Sequence, residues 1–190
     1  MTTNRVHDAT LYAFQTGEPI FVDANVWIYF QPPTSQPPPA DVLVYGTILK
    51  NALAAKAKPL IDLMILSEYM YRCCRIEMGA LRRIKAGGAN KYSDLHKFRK
   101  TPEFAAIANA ISDNAKEILR LCELQNAEIA PHDLDNLLSE FPAGAFDFND
   151  GVIVNSCRQK GWKLLTHDEE IVIGGIEVLT ANPRLLRACP

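Results

Sequence analysis

The chain has 190 residues and sets 20 Lys and Arg against 22 Asp and Glu, for a formal net charge of −2. This length suits a single domain over residues 1–190, and the charge argues against a uniformly basic nucleic-acid coat while permitting a local basic face. Five irregularly spaced cysteines and the lack of an apolar run near ~18 residues argue against a disulfide framework, a zinc site and a membrane span, so we expect a cytoplasmic protein with no membrane partner.

The first strong element is an apolar run at residues 20–28. It predicts a strand that is buried on both faces and reaches its carboxyl end at Asp23. A Pro-rich loop follows at 31–40 and holds five of the twelve prolines. Apolar residues at helical spacing then predict a helix over 41–56.

The middle of the chain is mostly helical by its pattern. A second strand is expected at 60–65, followed by a helix that begins near 67–69. Residues 79–101 are rich in glycine and cations and predict a basic insertion of helix and loop. The clearest amphipathic helix spans 102–125, with a possible dimer face.

The last third alternates short apolar strands with helices. Strands are expected at 127–130, 162–166 and 176–180, with a helix over 149–159. Such alternation is typical of βα units, so the predicted fold class is α/β, with a mainly parallel sheet flanked by helices. No glycine-rich turn follows the first strand, which argues against a dinucleotide-binding fold.

Acidic residues follow several of these predicted strands. In parallel α/β sheets, ligands bind beyond the carboxyl ends of the strands, so these side chains are expected to share one edge of the sheet. Clustered carboxylates repel one another unless a cation compensates them, and Mg²⁺ or Mn²⁺ prefers such oxygen ligands. A site of this kind suits phosphodiester hydrolysis. The candidate acids are Asp23, Glu68, Asp147, Asp150 and Asp168.

Three segments resemble the PIN-domain family of metal-dependent ribonucleases, which includes VapC-type toxins. They are FVDANVW at 21–27, ILSEY at 65–69, and the pair DFNDGVIV at 147–154 and GWKLLTHD at 161–168. The chain departs from compact toxins by its greater length, its Pro-rich loop and Gly151 in place of a common alanine. The resemblance implies a PIN-like three-layer fold and an Mg²⁺- or Mn²⁺-dependent endoribonuclease, of the kind that includes the toxins of toxin–antitoxin pairs.

The same resemblance implies roles for individual residues. Metal-binding roles fall to Asp23, Glu68, Asp150 and Asp168, with Asp147 as an accessory acid. Asn25 and Thr166 would orient a ligand or contact the scissile phosphate. Partners implied by the family are RNA and an antitoxin protein, and the possible dimer face of the helix at 102–125 adds a second copy of the chain as a candidate partner.

A basic stretch gives the predicted substrate a second contact surface. Residues 72–100 carry a local charge of +7 and begin one helical turn after Glu68, which indicates a track for a phosphate backbone. Tyr92 and Phe98 lie within it and could stack on bases. The candidate nucleic-acid-binding residues are Arg72, Arg75, Arg82, Arg83, Lys85, Lys91, Arg99 and Lys100.

Two other functions compete with the nuclease. Haloacid dehalogenase-like phosphatases also begin from an Asp at the end of a first strand, but they need a second Asp two residues later, where this chain has Asn25. The second alternative is a PIN-like protein that has lost activity and serves as an RNA-binding or scaffold module. Retention of all four acids argues against that alternative.

Overall fold

A computed structural model describes residues 2–35, 40–85, 88–126, 129–144 and 147–189. Over these residues the strands form one six-stranded sheet, in the order β1-β6-β5-β2-β3-β4, and every pair of neighbouring strands is parallel. The strands are β1 (Arg5–Asp8), β2 (Pro19–Val22), β3 (Lys58–Asp62), β4 (Glu123–Gln125), β5 (Lys163–Leu165) and β6 (Glu177–Thr180).

Helices flank this sheet, which confirms the predicted α/β class. The first group, α1, α2, α3 and α6, pack against one another in series, while α7 and α8 contact each other. No helix within the described ranges is long and apolar enough to span a membrane. The helices are α1 (Ala24–Phe30), α2 (Ala40–Ala54), α3 (Leu63–Ile84), α4 (Gly88–Lys91), α5 (Leu95–Phe98), α6 (Pro102–Leu121), α7 (Pro131–Glu140), α8 (Phe148–Lys160) and α9 (Pro183–Ala188).

The order of strands contains a reversal between β2 and β5. From β2 the chain continues through α1 and α2 to β3 on one side, whereas from β5 it continues to β6 on the other. The connections that leave these two neighbours therefore diverge and open a crevice at their carboxyl ends. Crevices of this kind are the usual ligand sites of open parallel sheets.

The second predicted strand, at 60–65, extends too far. β3 ends at Asp62, and α3 begins at the next residue, Leu63. Asp62 caps the helix, because its carboxylate accepts a hydrogen bond from the backbone N–H of Ile65 at 2.8 Å. The apolar residues after the cap therefore form the first turn of α3, four residues earlier than predicted.

Other differences concern short or polar elements. The strand expected at 127–130 is replaced by β4 at Glu123–Gln125, and residues 127–128 of that prediction lie outside the described part of the chain. β1 was not predicted, since it is an edge strand with no buried residue. α1, α7 and α9 were not predicted either, and the amphipathic helix expected over 102–125 ends at Leu121, so that β4 takes the place of its last turn.

The Pro-rich loop is fixed where it leaves α1. Glu77 of α3 is buried, and its carboxylate accepts hydrogen bonds from the Thr34 hydroxyl and the Ser35 backbone N–H, both at 3.0 Å. Residues 36–39 of the predicted loop lie outside the described residues, and Ala40 already belongs to α2. The loop therefore begins along the face of α3 rather than extending from the domain.

Helix α8 is surrounded by protein. Seven consecutive residues, from Gly151 to Cys157, are buried, as expected for a helix without a solvent-facing side. It ends at Gly161, whose left-handed backbone (φ 67°) suits glycine. The amino end of this helix, which carries two of the candidate acids, is therefore attached to the interior of the domain.

Candidate functional site

Asp23 lies at the carboxyl end of β2, on the crevice between β2 and β5. Its Oδ2 accepts hydrogen bonds from the Thr166 hydroxyl and the Asn25 side-chain amide, both at 2.6 Å. The side chain is only 7% exposed. Burial raises the pKa of this carboxyl; the bond from Thr166 opposes the rise, and the charge of Asp168 adds to it. Two polar neighbours thus hold one buried acid in a fixed orientation.

The same two neighbours also fix the segment after β5. The Asn25 side-chain oxygen accepts from the backbone N–H of His167, and the Thr166 hydroxyl accepts from the backbone N–H of Asp168, both at 3.0 Å. Asp23 and Asp168 are therefore positioned by one hydrogen-bond network. The predicted orienting residues, Asn25 and Thr166, lie at the centre of that network.

Tyr45 of α2 supports this network from the protein interior. It was not among the predicted site residues. It is fully buried, and its hydroxyl donates to the Thr166 carbonyl at 3.1 Å and accepts from the Ala181 backbone N–H at 3.0 Å. The Nδ1 of His167 also lies 3.0 Å from this hydroxyl. In the sequence, Tyr45 occupies an apolar position of the helix predicted over 41–56. Its hydroxyl was the available signal, because a tyrosine hydroxyl usually has a hydrogen-bond partner when it is buried.

Glu68 reaches the crevice from the second turn of α3. Burial raises the pKa of its carboxyl, and the negative charge of Asp23 raises it further. Arg72, one turn later, opposes this rise through an ion pair of 3.3 Å. Arg72 also counteracts the raised pKa of Asp23. This guanidinium is therefore shared by two acids.

The last two acids lie at the amino end of α8. Asp147 is the helix cap, since its carboxylate accepts from the backbone N–H of Asp150 at 3.0 Å. The helix thus begins at Phe148, and Asp150 is in its first turn rather than at the cap. Burial raises the pKa of Asp150 to about 7, and the charges of Asp147, Asp168, Asp23 and Glu68 contribute. The negative charges of all four other candidate acids therefore act on the carboxyl of Asp150.

These shifts describe one acidic cluster, which we define as Asp23, Glu68, Asp147, Asp150 and Asp168. All its donors are carboxylate oxygens, which fit a hard divalent cation. Among the described residues, however, no three His, Cys, Asp or Glu side chains form a group that could hold a metal ion as they stand. A cation bound at the cluster would therefore have to draw these side chains together.

Two clefts adjoin the cluster, and both are lined by Asn25 and Arg72. The first has a volume of about 570 Å³ and lies between α1 and α3; the second, of about 540 Å³, lies beside the segment after β5. The first is further lined by Ile28, Tyr29, Glu68, Tyr71, Arg75, Ile76 and Asn149. The second is further lined by His167, Asp168, Glu169, Asn182, Pro183 and Arg184. The two clefts therefore share two residues, and each contains one acid of the cluster, Glu68 in the first and Asp168 in the second.

The predicted nucleic-acid-binding residues separate into two groups. Arg72 and Arg75 line the first cleft, next to the acids. Arg82 and Arg83 lie in the last turn of α3, about 21 Å along the helix axis from Glu68. The remaining members follow beyond the end of that helix: Lys85, Lys91, Arg99 and Lys100.

The residues of the second group differ in how free they are to contact a phosphate backbone. Lys85 forms an ion pair of 3.6 Å with Glu103. Arg99 borders a different, mainly apolar groove between α3 and α6. The bases cannot stack on Tyr92 and Phe98, as the sequence had suggested, because these rings are 1% and 0% exposed. They pack edge to face against each other as part of the interior.

Comparisons with known proteins leave the family open. No family model matches this chain, and no curated protein matches it. A solved structure, described as the crystal structure of PAE2754 from Pyrobaculum aerophilum, is similar at 14% identity, over 90% of this chain and 96% of that one, with a TM-score of 0.48. The resemblance to PIN domains therefore stays a prediction from sequence.

Proposed function

We propose that this protein is a metal-dependent endoribonuclease that hydrolyses RNA phosphodiester bonds at the acidic cluster. The observation that carries the proposal is the convergence of the acids of the cluster on one crevice, where burial and the charges of four neighbouring carboxylates raise the pKa of Asp150 to about 7. Perturbed groups of this kind concentrate at functional sites. The position of the cluster, at the point where β2 and β5 diverge, supports the same conclusion.

Mg²⁺ or Mn²⁺ would be held by Asp23, Glu68, Asp150 and Asp168, with Asp147 as an accessory ligand. When bound, such an ion activates water and neutralises charge on a phosphate. The chain itself supplies the orientation of Asp23, through Asn25 and Thr166. It also supplies Arg72, whose guanidinium group can bind a phosphate beside the cut.

The biological setting is a further part of the proposal. A cytoplasmic toxin of a toxin–antitoxin pair, held inactive by an antitoxin or acting as a homodimer, would follow from the sequence resemblance. A small neighbouring reading frame with a DNA-binding amino-terminal part would favour this setting. A gene that stands alone would favour a housekeeping nuclease with the same chemistry.

The direct test incubates the purified protein with single-stranded RNA and DNA of one sequence, in Mg²⁺, Mn²⁺ or EDTA. We expect cleavage in either metal, none in EDTA, and none by Asp150→Asn. Asp113→Asn is the matched control, because Asp113 is 72% exposed on α6 and pairs with Lys116. Absence of metal-dependent cleavage, or equal cleavage by Asp150→Asn, would overturn the proposal.

A second candidate is an inactive PIN-like protein that binds RNA or serves as a scaffold. The ion pair between Arg72 and Glu68 favours it, because one acid of the cluster already has a cation from the chain. This candidate predicts that the protein binds RNA equally well in EDTA and in Mg²⁺ and leaves the RNA intact. The same incubation therefore separates the two functions.

A further inference from the structure

The first cleft is lined by side chains that suit a planar group with hydrogen-bonding atoms at its edge. Tyr71 forms part of its wall and is 49% exposed. The Arg75 guanidinium lies over the Tyr71 ring, 5.7 Å from its centroid. An aromatic ring and a guanidinium plane are the two surfaces on which proteins stack unpaired bases.

The opposite part of the cleft is rigid. Tyr29 of α1 stacks on the buried ring of Tyr45, with centroids 5.5 Å apart and planes 13° apart. It also contacts the edge of the His167 ring at 5.2 Å. Since these contacts already hold the ring, little conformational entropy is lost when a ligand packs against it.

The polar lining completes this description. The side chain of Asn149 and the guanidinium of Arg72 belong to the lining of the same cleft, whereas the Asn25 amide is already held by Asp23, Thr166 and His167. Amides can pair with the hydrogen-bonding edge of a base, and arginine binds phosphate. At about 570 Å³ the space suits a single nucleotide, within the usual range of ligand sites. It directly adjoins Glu68 of the acidic cluster.

We propose that this cleft is a subsite for one unpaired nucleotide next to the bond that is cut, with Tyr71 and Arg75 stacking on its base. This inference rests on the proposed nuclease function and adds to it. A base in a duplex is already paired and stacked between its neighbours, so it cannot enter the cleft. The subsite therefore restricts the substrate to single strands, loops and ends.

The test measures binding separately from cleavage. In an Asp150→Asn background, fluorescence anisotropy compares a single-stranded RNA, a DNA of the same sequence, and the RNA as a blunt duplex. We expect Tyr71→Ala to weaken single-strand binding about tenfold and to change duplex binding less than twofold. Tyr71→Phe keeps the ring and should restore single-strand affinity. If Tyr71→Ala weakens the binding of RNA and DNA equally, Tyr71 contacts the base. If it weakens the binding of RNA alone, Tyr71 contacts the ribose as well.

The outcomes distinguish this subsite from the function on which it rests. If the Asp150→Asn protein binds single strands but Tyr71→Ala changes nothing, or weakens duplex binding equally, the subsite is wrong while the nuclease proposal stands. If the protein with Asp150 intact neither binds nor cleaves any strand, both are wrong. In the cleaving enzyme, Tyr71→Ala should raise KM with kcat unchanged.

Discussion

At the amino ends of the central strands, every acid has a lysine for a partner; at the carboxyl ends, the acids mostly face one another. Lys163, the first residue of β5, lies 3.0 Å from Glu18 and 2.9 Å from Glu177. Although burial alone would raise it, the pKa of Glu18 is lowered by hydrogen bonds from Tyr12, the backbone and Lys163. The pKa of Glu177 is lowered mainly by Lys163. At the acidic cluster, most carboxylates have other carboxylates as their charged neighbours, and the pKa values of Asp23, Glu68 and Asp150 are raised.

This contrast separates a structural charge network from one suited to a ligand. We call Lys163, Glu18 and Glu177 the amino-end network; with Arg5, which lies 3.8 Å from Glu177, its two acids are matched by two cations of the chain, so it can stabilise the fold without any further group. The acidic cluster has an excess of negative charge, and within the described part of the chain Arg72 is the cation that lowers the pKa of two of its members, Asp23 and Glu68. That excess makes the cluster, and not the lysine network, the place where a cation would bind.

The largest expected effect comes from removing one acid of the cluster. Asp150→Asn should lower metal-dependent cleavage by at least about 100-fold, because even partners that only orient a metal ligand are worth 10- to 100-fold. Glu18→Gln removes an acid at the other end of the strands and should leave kcat unchanged. Single-turnover cleavage of a labelled RNA measures both. Equal losses in the two variants would remove the functional distinction between the two ends.

The next effect concerns the orientation of Asp23. Thr166→Val removes a hydroxyl that donates to this carboxylate and accepts from Asp168, so activity should fall about 10- to 100-fold. The Mn²⁺ concentration for half-maximal cleavage should rise, which a loss of stability alone would not cause. Thr166→Ser should restore both quantities. A variant with unchanged Mn²⁺ dependence would show that Thr166 does not act through the acids.

The amino-end network should matter for stability alone. Lys163→Met leaves Glu18 and Glu177 without their shared cation, and one of them is buried. We expect a loss of about 2 kcal/mol in the free energy of unfolding, since an unpaired buried charge remains. Urea denaturation measures this loss. A stable Lys163→Met protein with impaired kcat would contradict the division of roles.

The smallest effect is a dependence of stability on pH. The folded chain keeps the Asp150 proton up to about pH 7, whereas the unfolded chain loses it near pH 4. The folded state therefore binds more protons between these values, and stability falls as the pH rises through this window. In EDTA, the free energy of unfolding should be roughly 1 kcal/mol lower at pH 8 than at pH 5.5, after allowance for solvent screening at this half-buried group.

Asp150→Asn provides the control for that slope, because the parent and the variant share every other titratable group. The difference between the two proteins isolates the contribution of Asp150. Glu18 and Glu177 have lowered pKa values, so they stay charged throughout this window and lose their stabilising effect only in stronger acid. Identical slopes for the parent and the variant would mean that the cluster does not perturb Asp150.

The fold class could be predicted from the sequence, and so could the convergence of acidic side chains at one edge of the sheet. Both follow from apolar runs that end in polar residues. The exact starts of helices were less accessible. Residues after Asp62 continue an apolar run, yet the cap turns them into α3. β1 was missed because a half-exposed edge strand lacks an apolar run.

Contacts between distant side chains were beyond reach for a different reason. Tyr45 and Thr166 are 121 positions apart, and nothing in either local pattern indicates the other. The burial of Tyr92 and Phe98 likewise depends on how α5 packs, whereas their sequence neighbours are mostly charged. Composition therefore predicted an exposed basic track over 72–100, although two aromatic side chains of that stretch are buried in the interior.

The position of Arg72 has a consequence for the order in which ligands bind. Its guanidinium pairs with Glu68 and lines both clefts, so a phosphate in either cleft competes with Glu68 for the same cation. A divalent ion that neutralises Glu68 would release Arg72 to the phosphate. The two ligands then favour each other by the same factor, whichever binds first. Through one arginine, the protein would bind metal and nucleic acid cooperatively.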